Sequence, residues 1–212
     1  MALHRYITPV MYVDPSGMIS ESFLKIISGV LTIAGVAFLF VPGYQLLGAT
    51  ILGAGIGSFI GGDIAKKNNQ SYLAGWVGGG ITGAFVSFGL CAGGMVLNAS
   101  TTMATQAEST IFGAFGIAGF FGGLGGGLGT YAKQRILGYY DESEILTNSL
   151  VFGISSTLLL PFAGIASALG AAGYTSAAGL YGITFEMVYD YATYLIQKAL
   201  NMDEYSVKEI EK

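Results

Sequence analysis

Charge is what this chain has least of. Only 10% of its 212 residues are Asp, Glu, Lys or Arg, against about a quarter in an ordinary soluble domain. Too few charged groups are present to keep a surface of normal size in water. Histidine occurs once, at His4, and cysteine once, at Cys91. With one of each, no HExxH or Cys/His metal site and no internal disulfide can be built, and no Ser/His/Asp set fits within the apolar body. Cys91 sits in an apolar run and reads as a small buried side chain. Nine basic residues against thirteen acidic give a net charge of −4. That balance excludes the clustered Lys and Arg of a nucleic-acid footprint, so no nucleic-acid partner is expected.

Nucleotide motifs are missing too. No glycine-rich stretch ends in GK[ST], and "GAGIGSFIGG" departs from the dinucleotide fingerprint and follows no strand. Asp141, Glu142 and Glu144 in "YYDESEIL" read as a solvated cluster in a connecting loop. No catalytic residue, metal or cofactor is therefore expected in the body of the chain.

What is abundant is apolar. Hydrophobic residues make up 52% of the chain, with 34 glycines and a mean hydropathy of +0.61. Such numbers exclude disorder, which goes with low hydrophobicity and high charge. Charge-free runs of 37 residues after Lys25, 40 after Lys67, 24 after Glu108 and 41 after Glu144 divide the chain. A bilayer core needs about 20 apolar residues per helix. Runs near 40 thus suit two helices joined by a tight turn. "VPGY" at 41–44 marks such a turn between two stretches of 19 residues. Further segments run from Tyr72 to Leu97, from Ile111, and from Leu150 through Pro161, with a polar link "NASTTMATQAE" after Leu97. No alternating strand pattern competes. The expectation is an all-α membrane or membrane-inserting bundle of five to seven helices, built of glycine-rich hydrophobic hairpins. Lys66, Lys67, Lys133 and Arg135 fall in links between the runs.

The glycines are spaced. Gly53, Gly57 and Gly61 form GxxxGxxxG, as do Gly75, Gly79 and Gly83, and Gly119, Gly123 and Gly127. Positions four apart share a helix face, so each triplet makes a smooth groove that lets another helix approach closely. Gly164, Ala168 and Ala172 form a weaker fourth version. "GGLGGGLG" at 122–129 would be a poor helix in water, where each glycine costs about 1 kcal/mol relative to Ala.

Near the end, "FEMVYDYATYLIQKAL" from Phe185 to Leu200 has an amphipathic helical pattern with Glu186 and Asp190 on its polar side. Should it enter a membrane, Glu186 and Asp190 are the candidates for lining water. Residues 201–212 read as a polar tail.

The chain opens differently. No apolar signal region precedes the polar "DPSG". "PVMYVDPSGM" resembles the end of the RHS-repeat core of bacterial polymorphic toxins, whose last segment has the form P-x4-D-P-x-G-L. Pro9, Asp14, Pro15 and Gly17 match, Met18 replaces the leucine, and "LHRYIT" is a loose version of the family's lead-in. The resemblance covers about the first 18 residues.

It implies that residues 1–18 are the end of a carrier and that 19–200 are its cargo, a hydrophobic helical toxin domain. In that family the repeats form a shell around the toxic domain and the chain is cut just after the motif. By the same resemblance, Asp14 is one of the aspartates of the cleavage site and the cut follows Met18. The implied partners are the RHS shell of the parent protein and an immunity protein. Cargo in this family varies widely, so activity must be read from the cargo's own composition. That composition points to insertion into a bilayer and pore formation or depolarisation, with association of several copies as a further expectation; secretion or delivery by a carrier, and a target cell's membrane as the destination, are what the resemblance implies. A membrane-translocation or structural helical module, and an enzyme acting on lipid or nucleotide, are the alternatives.

Overall fold

A computed structural model describes residues 20–41, 43–102 and 107–169. They form five helices: α1 (Glu21–Leu39), α2 (Gln45–Lys67), α3 (Tyr72–Thr102), α4 (Ala107–Leu137) and α5 (Glu142–Leu169). The protein is all-α, and each helix has a stretch long and apolar enough to cross a membrane. Even the shortest, α1 with 19 residues, spans about 28 Å at 1.5 Å per residue, close to the thickness of a hydrocarbon core.

Local chemistry sets the boundaries. Ser20 caps α1, its Oγ accepting from the Phe23 amide at 3.2 Å. Gly43, at φ +85°, makes the α1–α2 turn, and its amide donates to Gln45 Oε1 at 3.0 Å. Both helix ends on the opposite side close alike. Asn69 (φ 55°) follows α2 and Gly138 (φ 78°) follows α4. The next amides, of Gln70 and Tyr139, reach back to the carbonyls of Ala65 and Gln134 at 2.8 and 3.1 Å, the left-handed closure of a helix C-terminus.

Two boundaries differ from the sequence expectation. α3 continues through Thr102 and α4 begins at Ala107, so most of the supposed link after Leu97 is helical; no proline or glycine interrupts Asn98–Thr102 to stop α3. α5 starts at Glu142 rather than Leu150. Asp141 is the reason: its Oδ1 accepts from the amides of Ser143 and Glu144 at 2.9 and 3.2 Å.

Short connections make successive helices antiparallel. α3 is central and touches the other four. Pairing of Gly53 with Gly83, Gly57 with Gly79 and Gly61 with Gly75 sets the α2–α3 register, and Gly78 with Gly129 and Gly89 with Ala118 set that of α3–α4. The apolar core is small: Val86, Leu90, Ala114, Ala118 and Leu160 in one cluster, Leu39, Ala49 and Leu52 in another.

A candidate membrane-inserting surface

The bundle exposes many of its large apolar side chains and buries several polar ones beside its small apolar core. Ser28 and Ser156 are 1% exposed and Gln134 fully buried, whereas Ile33 is 72% exposed and Leu158 69%. On α1, Phe23, Ile26, Val30 and Ile33 form an outward stripe; on α5, Leu146, Leu150, Ile154 and Leu158 form another. Their spacing of three to four residues keeps each stripe on one helix face. A protein in water arranges these classes the other way round. Lipid tolerates such stripes, and without a hydrophobic force between helices it leaves close packing and hydrogen bonds to hold the bundle.

Close packing comes from the first two glycine triplets, which interlock. A Cβ built on Gly57 would overlap the carbonyl oxygen of Gly79, and one on Gly79 that of Gly57. Reciprocal overlaps link Gly53 with Gly83 and Gly61 with Gly75. At such approach the Cα–H groups and carbonyls of facing backbones are in contact.

The third triplet sits more loosely at Gly123 and Gly127, although a Cβ on Gly119 would lie 2.6 Å from Thr157 Oγ1. Gly119, Gly123 and Gly127 run along α5, and a Cβ on Gly123 would lie 3.3 Å from the Ser149 oxygen. The tightest approaches of α4 belong to neighbouring glycines. A side chain on Gly122 or Gly126 would meet α5, at Ser156 and at the Asn148 carbonyl; one on Gly125 or Gly129 would meet α3. Along its outer edge the α4–α5 seam opens into an apolar cleft of about 530 Å³, floored by Gly119, Gly123 and Gly153 and rimmed by Phe120 and Leu158.

Most polar groups inside are satisfied locally, whereas Gln70 Oε1 and Tyr72 OH are buried without a hydrogen-bond partner. Thr32, Thr50 and Ser155 donate to carbonyls one turn back, at 2.8, 2.8 and 2.6 Å. Between helices, Ser149 Oγ donates to the Gly123 carbonyl at 2.8 Å and Asn148 Nδ2 to Thr130 Oγ1 at 2.9 Å. Trp76 Nε1 donates to Ser28 Oγ at 2.8 Å and to the Leu24 carbonyl at 3.2 Å, tying α3 to α1. In hydrocarbon no water could replace these partners.

Charges collect at one end. The start of α1, the α2–α3 connection and the α4–α5 connection lie together there. Lys25 Nζ bridges Glu21 at 2.8 Å and Asp63 at 3.2 Å, and Lys66 reaches Glu21 at 2.7 Å. Lys66 and Lys67 stand in the last turn of α2 and Arg135 in that of α4, where cations complement the helix dipole. Asp141 and Glu142 of the acidic cluster are exposed, as a solvated cluster requires, but Glu142 and Glu144 belong to the first turn of α5 rather than to a loop. Glu144 accepts from Gln134 Nε2 at 2.8 Å and from Tyr139 OH at 3.0 Å. Burial and the neighbouring Glu144 carboxylate push the Tyr139 phenol above its ordinary range.

Among the described residues no group of three His, Cys, Asp or Glu side chains could hold a metal ion. Asp14, Met18, Glu186, Asp190 and the amphipathic stretch 185–200 lie outside the described residues. So does Ala172, while Gly164 and Ala168 belong to the last turns of α5. No protein family, no curated protein and no solved structure matches the chain.

Proposed function

We propose that the chain is an antibacterial toxin effector that inserts into a target-cell membrane and forms ion-conducting pores or otherwise depolarises it. The observation that carries the reading is the outer surface: large apolar side chains stand exposed in stripes along α1 and α5, while glycines bring the helices together. That arrangement is at home in a bilayer and costly in water. Ser28, Ser58, Ser87, Thr130, Gln134 and Ser156, buried among the apolar contacts, are the polar side chains from which an inserted state would draw a lining for ions. The toxin assignment rests on the likeness of residues 9–18 to the RHS junction, and with it come the carrier shell and an immunity protein in the producing cell.

If copies associate, they use a surface other than the α2–α3 glycines, which already face each other within one chain. The small-residue cleft along α4 and α5 is one such surface among the described residues.

The test is single-channel recording from planar bilayers, with dye release from vesicles of phosphatidylglycerol and phosphatidylethanolamine, using the full chain. Discrete conductance steps are expected. Membranes that stay silent while holding inserted protein would overturn the pore reading and favour a translocation or structural module.

A further inference from the structure

Among the described residues, the charged side chains are distributed with a strong bias along the bundle axis. Lys25, Lys66, Lys67, Lys133 and Arg135 lie at the end where α1, α3 and α5 begin, together with Glu21, Asp63, Asp141, Glu142 and Glu144. Basic and acidic groups are balanced there, and several are joined in ion pairs. At the opposite end lie the α1–α2 turn, the facing ends of α3 and α4, and the end of α5 at Leu169. The described part of that end carries one charged residue, Glu108 in the first turn of α4. The α1–α2 turn itself carries none, and exposes Phe40, Val41 and Tyr44.

The exposed tyrosines follow the same axis. Tyr131, Tyr139 and Tyr140 stand toward the charged end and Tyr44 at the tip of the first hairpin, where a ring with a polar edge suits the two faces of a bilayer. Each charge carried through hydrocarbon raises the barrier to insertion. Among the described residues, moving the charged end across would transfer ten such groups, Glu21, Lys25, Asp63 and Lys66 among them joined in ion pairs, and moving the tips would transfer one. The two directions of entry are therefore far from equivalent.

We infer that the α1–α2 and α3–α4 hairpins enter a bilayer tip first, leaving the charged end among the headgroups of the leaflet first met. The inference rests on the membrane-inserting part of the proposed function and adds direction to it. The partner at the charged end is the zwitterionic or anionic headgroup layer. With its own charges balanced, the end needs no strongly anionic surface to rest there.

The experiment places single cysteines in the full chain carrying Cys91→Ser, using Asn68→Cys and Ser143→Cys at the charged end and Val41→Cys at the first tip. Each protein is added to preformed vesicles of phosphatidylglycerol and phosphatidylethanolamine, washed free of peripheral protein, and treated from outside with a bulky impermeant maleimide. Expected is labelling of Asn68→Cys and Ser143→Cys on intact vesicles, with Val41→Cys labelled only after detergent. Outside labelling of Val41→Cys, or protein that never resists the wash, overturns the inference. As a second arm, Val41→Lys slows insertion by about tenfold or more, whereas Asn68→Lys leaves the rate unchanged; equal rates for both overturn it as well. Labelling does not depend on conductance. Silent membranes with a protected Val41→Cys would remove the pore and keep the sidedness, and currents with an exposed one would do the reverse.

Discussion

Gly57 and Gly79 lie back to back in α2 and α3, so close that a methyl group on either would overlap the other's carbonyl oxygen. The contact admits no side chain without moving a helix. Gly57→Ala and Gly79→Ala are each expected to destabilise the bundle by about 1–3 kcal/mol, the ordinary cost of overpacking. Gly116→Ala is the control, since nothing lies within 4 Å of its added methyl. Unfolding in detergent micelles, followed by circular dichroism, should separate the two classes; a Gly116→Ala protein as weak as Gly57→Ala contradicts the α2–α3 contact.

Gly122 and Gly123 are neighbours with opposite expectations. An added methyl at Gly122 overlaps Ser156 Oγ and lies 2.6 Å from the Phe152 carbonyl, whereas at Gly123 its nearest atom is 3.3 Å away beside an open cleft. Gly122→Ala should lower the unfolding midpoint clearly, and Gly123→Ala little. The same micelle titration reads both, and a reversed order would move the α4–α5 interface to the other face of α4.

Gln134 holds the α4–α5 connection. Its Nε2 donates to the Asp141 carbonyl at 3.0 Å and to Glu144, and its Oε1 accepts from the Asp141 amide at 2.9 Å. Gln134→Leu keeps the volume and removes all three bonds, at an expected cost of about 1–3 kcal/mol for the groups left unpaired. Limited proteolysis gives the local readout: residues 138–142 become a cleavage site in the variant while the α1–α2 turn keeps its resistance.

Trp76 is the one tryptophan of the chain, and it reports on α1. Ser28→Ala leaves its bond to the Leu24 carbonyl and should cost about 0.5–1.5 kcal/mol. Ser28→Leu puts a large side chain where the serine is 1% exposed, pushes α1 away and shifts the Trp76 emission to the red. An unchanged spectrum in Ser28→Leu would show that α1 is not seated against α3 as described.

How much of this was legible before the structure depends on what each residue had to decide. The turn at 41–44 was, because a proline and a glycine between apolar runs leave the chain few alternatives. The α2 and α3 triplets were legible as grooves, because their glycines stand at one spacing among larger residues. On α4 the same rule loses its discrimination: in "GGLGGGLG" glycines at several spacings coexist, and the sequence does not say which face a neighbour takes. The start of α5 was hidden for another reason. Its Asp141 cap and Gln134 anchor pair residues from two elements, and neither belongs to a hydrophobic pattern. Which large side chains face outward was also beyond a periodicity reading, since helices apolar all round present no preferred face.

The outward placement of Ile33 and Leu158 has a thermal consequence. In a bilayer those side chains are surrounded by hydrocarbon before and after the helices associate, so association withdraws little apolar surface from water. The heat-capacity change that bends the stability curve of a soluble domain arises from that withdrawal. A bundle held by backbone contact and internal hydrogen bonds lacks most of it. In a bilayer its stability is therefore expected to decline almost linearly on warming, with no loss of cohesion in the cold.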